Sequence, residues 1–153
     1  MPITLYHFTS PDALVLIRQQ GIKPSLLEIP RKGPTTRGVV SLTTNPDPTP
    51  LMGYTLWDAT PLSGDALAHH MKEYPEAVPP IPGPNNCAYT LVVEIPDADE
   101  NWYLLEYDAV APIGFPSSEV VNEFIALGGG TPGDWYIYDG VIPPQYIVRV
   151  ARN

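Results

Sequence analysis

The chain is poor in cysteine, in charge and in long apolar runs, and each shortage removes a class of protein. Cys87 is the one cysteine among 153 residues, which excludes an internal disulfide framework and a multi-cysteine zinc site. It stands just before an apolar run, where a buried thiol is expected. Charged residues make up 16% of the chain, below the usual ~25%. No stretch reaches the ~18 apolar residues of a membrane span, and no basic segment followed by a long apolar run opens the chain. These features point to a cytosolic protein with no membrane partner. A Gly-rich phosphate loop, a Gly-x-Ser-x-Gly elbow and paired metal-ligand histidines are also missing. His69 and His70 are adjacent, so on a helix they point about 100° apart and cannot share an ion. Surface positions are expected for both, and no metal site is expected.

Proline, at 20 residues, is abundant, with 12 glycines beside it. Nine tyrosines, three tryptophans and the aliphatic content nevertheless supply enough apolar surface for one domain over residues 1–153. The net charge of −9 argues against duplex DNA as a partner. The charge is uneven. Arg18, Lys23, Arg31, Lys32 and Arg37 give residues 1–40 a net +3, against −12 for the rest. A basic rim on an acidic body suits a small polyphosphate ligand, and solvated loop charges explain it equally well.

Residues 3–8 are β-branched and aromatic and predict a strand. Ser10 as cap, Pro11 in the first turn and Asp12 at the positive dipole end predict a helix that Gly21 closes. Residues 22–37 carry Pro24, Pro30 and Pro34 and read as loop, and Gly38–Thr43 reads as a second strand stopped by Asn45-Pro46. Residues 44–62 are punctuated by proline. A short helix is expected from about Asp65 to Tyr74, an extended loop over 75–86, and a strand over Cys87–Ile95. Trp102–Tyr107 is a further strand or an ordered loop. Ser117 or Ser118 caps a helix through Leu127 with Val120, Val121, Phe124 and Ile125 inward, ended by Gly128-Gly129-Gly130. Glu119 and Glu123 on it form a solvated acidic face. Trp135–Tyr138 and Tyr146–Val150 complete the strands. Strands outnumber helices without alternating with them, the pattern of an α+β fold.

His7 stands out among the candidate functional residues. It sits at the end of the first strand, beside a capped helix N-terminus, where an imidazole is well placed to hydrogen-bond a ligand. A hydrogen-bonded structural histidine is the alternative. The run Leu5-Tyr6-His7-Phe8-Thr9-Ser10, the helix ending in Gln20-Gly21-Ile22, and Val39-Val40-Ser41-Leu42-Thr43-Thr44 resemble the opening of small ADP-ribosyltransferase-like proteins. The branch with the DNA-thymidine ADP-ribosylating toxins is the most similar, and the RNA 2′-phosphotransferases are more distantly so. Asp134-Trp135-Tyr136-Ile137-Tyr138, followed by Val141 to Ile147, resembles that branch's last motif. The likeness covers about the first 45 and the last 20 residues.

The resemblance implies two packed, mostly antiparallel sheets that splay around a cleft for NAD, with a few short helices and long proline-rich loops. It implies that His7 bonds the ribose hydroxyls, that the backbone of Phe8 holds the nicotinamide amide, and that Thr9 lies on the adjoining side. Ser41 and Thr43 would lie on the second strand, Tyr54 or Trp57 would stack on nicotinamide, and Arg37 or its basic neighbours would meet the pyrophosphate. Catalytic members carry Glu at the start of the last apolar run, where it steadies an oxocarbenium-like transition state. That position falls on Trp135, with Asp134 one residue earlier; Asp134 reaches the cleft only through a bulge after Gly133. The implied activity is binding of NAD or a related nucleotide, with ADP-ribosyl transfer or NAD cleavage weakened or lost. The competing reading is a non-catalytic module on the same fold that binds a protein, such as an inhibitor from a mobile element or the partner of a toxin. An open cleft at His7 favours the ligand, and a dry apolar patch over 44–62 or 75–86 favours the protein.

Overall fold

The computed structural model describes residues 2–24, 28–29, 33–34, 38–48, 64–79, 87–127 and 132–153. Its elements, in chain order, are β1 (Ile3–Thr9), α1 (Pro11–Gln20), β2 (Glu28–Ile29), β3 (Gly33–Pro34), β4 (Val40–Thr43), α2 (Gly64–Glu73) and β5 (Tyr89–Ile95), followed by β6 (Trp102–Leu104), α3 (Tyr107–Val110), α4 (Ser118–Leu127), β7 (Trp135–Tyr138) and β8 (Ile147–Arg152). The fold is α+β. Six strands form one open antiparallel sheet in the order β6-β7-β4-β1-β5-β8. The two packed sheets expected from the resemblance are thus a single sheet. The reason is β4, which pairs with β1 on one side and with β7 on the other.

Local chemistry explains most boundaries. The Ser10 side chain accepts from Ala13 N at 3.2 Å, Pro11 opens α1, and the Gly21 N–H closes it on Ile17 O at 2.9 Å. Gly21 has φ +81°, and a Cβ there would lie 2.2 Å from Ile142 O. Only glycine admits both the left-handed backbone and the close approach that makes the Ile22–Ile142 bridge. Ser117 caps α4, its hydroxyl accepting from Val120 N at 3.2 Å. Three readings are corrected. Within 22–37, β2 and β3 form a short ribbon that pairs Glu28 with Pro34 and Ile29 with Gly33; Pro34 donates no hydrogen bond, so it is confined to such an edge. After the β6 strand, residues 107–113 are helical, α3 running into a 3-10 turn at Ala111–Ile113 that buries Val110 and Ile113. Pro144–Tyr146 is likewise a 3-10 turn, so the last strand starts one residue later than expected and runs to Arg152.

Strand alternation gives the sheet two faces, each with its own core. On one, Leu5, Leu42, Leu91, Val93 and Tyr138 pack with Leu14 and Ile17 of α1 and with Ile22 and Ile142. On the other, Val39, Trp135 and Ile137 pack with Leu105, Val110, Phe115 and the Val120, Val121 and Ile125 stripe of α4. Burial of each such aliphatic side chain contributes about 1.5–3 kcal/mol. Cys87 is buried, as expected. Among the described residues no helix is long and apolar enough to cross a membrane.

Candidate functional site

The central strands β1 and β4 meet at Tyr6 and Thr43, whereas β1 pairs with β5 along its whole length, from Ile3–Ile95 to Thr9–Tyr89. Beyond Tyr6 a side chain serves the β4 edge: His7 Nδ1 donates to Ser41 O at 2.9 Å. A carbonyl only accepts, so this contact places the proton on Nδ1. Burial pushes the imidazole below its ordinary value, against the Ser41 hydrogen bond that pulls it up. His7 is therefore neutral at pH 7, and Nε2 is left as an acceptor. The group that Nε2 recognises is a donor, such as a hydroxyl.

His7 lines a cleft of about 460 Å³, within the usual range for small-molecule sites. Its floor is apolar and comes from α1 and β4, through Ala13, Leu16, Ile17 and Val40. Polar groups surround it: Thr9, Ser41, Gln20, Lys23, Glu73 and Tyr74. Thr9 is buried, and Lys23 is exposed at the rim. Tyr74 follows α2, and burial, Glu73 and Asp12 all push its phenol up, so it stays protonated as a donor. Glu73 carries the one carboxylate among the described residues lining the cleft. It is paired within α2 to His69, Nε2 to Oε1 at 3.1 Å.

His7, Thr9 and Ser41 therefore come together as residues of one cleft, Ser41 holding the His7 ring through its main chain. The other expected site residues lie elsewhere. Thr43 pairs with Trp135 across β4 and β7, on the face opposite His7, and its hydroxyl accepts from Asn45 N at 3.1 Å. The Phe8 side chain alternates away from His7 onto that same opposite face. Trp135 is buried against Phe124, ring centroids 5.7 Å apart and edge to face, and its Nε1 has no hydrogen-bond partner. Asp134 is held by Thr44, whose N–H donates to its carbonyl at 2.8 Å and whose hydroxyl donates to Oδ1 at 3.2 Å. Neither Asp134 nor Trp135 lines the His7 cleft. Arg37, Tyr54 and Trp57 lie outside the described residues.

Gln20, Lys23, Glu73 and Tyr74 are the cleft residues that sequence reasoning missed. Gln20 and Lys23 flank Gly21, whose tight turn against Ile142 was the available signal. For the end of α2 there was none, since packing of that helix against α1 is a long-range contact. His70 is correspondingly not at the surface: its side chain is 15% exposed, against 72% for His69.

A second groove, of about 550 Å³, passes Asp99 and Tyr146. Its carboxylate is already engaged. Asp99 Oδ2 accepts from Tyr138 OH at 2.6 Å and Tyr146 OH at 2.9 Å, and Oδ1 accepts from Asn101 N at 2.9 Å. Burial raises Asp99, the Tyr138, Asn101 and Tyr146 hydrogen bonds outweigh it, and the net direction is down. This cluster ties the turn after β5 to β7 and to the 144–146 turn. Comparison of the chain with protein-family models, with curated proteins and with solved structures finds no match.

Proposed function

We propose that the chain binds NAD or a related nucleotide in the His7 cleft, as an ADP-ribosyltransferase-like protein that lacks the usual catalytic carboxylate. The observation that carries this reading is the neutral His7 ring. Its Nδ1–H is committed to the Ser41 carbonyl, which leaves a hydroxyl acceptor in a cleft of ligand size. Ribose hydroxyls are donors of the matching kind, Lys23 offers positive charge at the rim, and the α1 wall offers an apolar surface. A cleft at His7 is also the feature that separates small-molecule binding from protein docking.

Turnover is a separate matter. Departure of nicotinamide leaves positive charge on the ribose, and a preorganised carboxylate lowers that barrier by an amount corresponding to about 10²–10³ in rate. Trp135 supplies none and faces the other core, Asp134 is bonded to Thr44, and Glu73 is drawn to His69. The chain is accordingly a binder with negligible or weak glycosidic cleavage. Nicotinamide release from NAD, alone and with cell lysate as acceptor, tests this with native protein, Glu73→Gln and Asp134→Asn. The expected result is no release above background in all three. Robust native release lost in Glu73→Gln places the carboxylate on α2; robust release lost in Asp134→Asn returns it to the last motif. Either overturns the binder reading.

A further inference from the structure

Helix α2 forms one wall of the His7 cleft through Glu73 and the following Tyr74, yet it is thinly attached. None of its described side chains is fully buried; Leu67, His70 and Met71 are half-buried. A helix without a buried stripe draws little stability from the core, and such elements belong to the low-stability end of a protein. Among the described residues, the charged contact that joins α2 to α1 is His70 Nε2 to Asp12 Oδ2, at 4.0 Å. The same His70 ring lies against Tyr74, centroids 4.9 Å apart with planes at 37°. His70 therefore bridges the first turn of α1 and the residue that α2 delivers to the cleft.

We infer that His70 is an acid-strengthened latch, holding the α2 wall against α1 through Asp12 and so setting how tightly the cleft closes. The inference rests on the ligand reading only for its consequence, not for the latch itself. Protonated, the ring is an ion-pair partner for Asp12; neutral, it keeps only its packing on Tyr74. A histidine is the side chain that makes this change between about pH 5 and 8. Three local fields favour the charged ring. Asp12 faces it from α1, Glu73 is one turn away on its own helix, and the carbonyl end of α2 is adjacent. His69 and Lys72 oppose it, but His69 is itself drawn to Glu73, and Lys72 points to the solvent side of the helix, where it is exposed. Because proton binding favours the closed wall, closure is strongest at low pH and is lost as pH rises through the histidine range. His7 does the opposite work: its buried ring remains neutral well into that range and keeps its acceptor while His70 takes up a proton.

Hydrogen–deuterium exchange of the full chain over residues 64–74, corrected for intrinsic rates, tests the latch without a ligand. The expected result is about fivefold greater protection at pH 6 than at pH 8 in the native protein, and no such difference in Asp12→Asn or His70→Phe. The Phe variant keeps the ring against Tyr74 and removes only the charge. Neither position belongs to the buried core, and thermal unfolding of each variant reports whether the sheet is intact. Calorimetry with ADP-ribose then reads the consequence: about three- to fivefold weaker binding in both variants at pH 6, and little change at pH 8. Protection that ignores pH, or a pH difference that survives in Asp12→Asn, overturns the latch. Native protection that follows pH while ADP-ribose, NAD and mononucleotides all fail to bind upholds the latch and overturns the nucleotide reading.

Discussion

His7 and Trp135 stand on opposite faces of one sheet. Tyr6, Thr43 and Trp135 form a single lateral row across β1, β4 and β7, and His7, one residue on from Tyr6, projects to the other side. Trp135 thus belongs to the core beneath α4, while His7 belongs to the cleft beside α1. The position that the last motif reserves for a catalytic carboxylate is a packing position in this protein.

A first prediction follows for Trp135→Glu. Placing a carboxylate in the core against Phe124 strands an unpaired buried charge, at a cost of about 3–5 kcal/mol. The midpoint of urea unfolding should fall accordingly, and nicotinamide release should not appear. A Glu variant of native stability that cleaves NAD contradicts the opposite-face placement.

The β1–α1–β4 segment was legible because its signals are local. Ser10, Pro11 and Asp12 mark a helix start within three residues, Gly21 marks its end, and Leu14 with Ile17 marks its inner face. The 118–127 helix and the Tyr89–Ile95 strand were legible for similar reasons. What stayed hidden depends on contacts distant in sequence. Alternation shows that Trp135 and Asp134 point to opposite sides, but not which side His7 occupies; the register through Thr43 decides that. The meeting of Tyr74 with Leu16 around one cleft, more than fifty residues apart, leaves no local trace. The β2–β3 ribbon was masked by proline, whose local preference for loops was outweighed by pairing at an edge.

Gly21 is predicted to be intolerant of any side chain. Gly21→Ala must hold a left-handed backbone and displace the Ile142 carbonyl, which a Cβ would approach to 2.2 Å. The combined strain is about 2–4 kcal/mol. Thermal unfolding should show the loss, and the Ile22–Ile142 bridge amides should exchange faster than in the native protein.

The Asp99 cluster should be worth more through Tyr138 than through Tyr146. Tyr138 is buried and donates at 2.6 Å, so Tyr138→Phe should cost about 1.5–3 kcal/mol, the range for a hydrogen bond to a charged group. The Tyr146 phenol is more accessible to water, and Tyr146→Phe should cost less. A double-mutant cycle between the two tyrosines should show coupling, because both donate to the same oxygen.

Acid should destabilise the fold in two separate windows. His7 is lowered from its ordinary value of 6.5, so the unfolded chain takes up that proton first, and stability falls as pH drops from about 6.5 through the folded value. Asp99 is lowered from 3.8; its contribution is present above that value and is lost as pH falls through its folded one. Urea unfolding across pH should show both losses. His7→Gln should erase the upper window, and Asp99→Asn the lower.

The most direct measurement is calorimetric titration of ADP-ribose and NAD into native protein and into His7→Ala at pH 7.5. Saturable binding to the native chain is predicted, at least tenfold weaker in the variant, equivalent to about 1.4 kcal/mol, with melting temperature nearly unchanged. Affinity that is the same in both proteins, or no heat from either ligand with the native chain, would contradict the account.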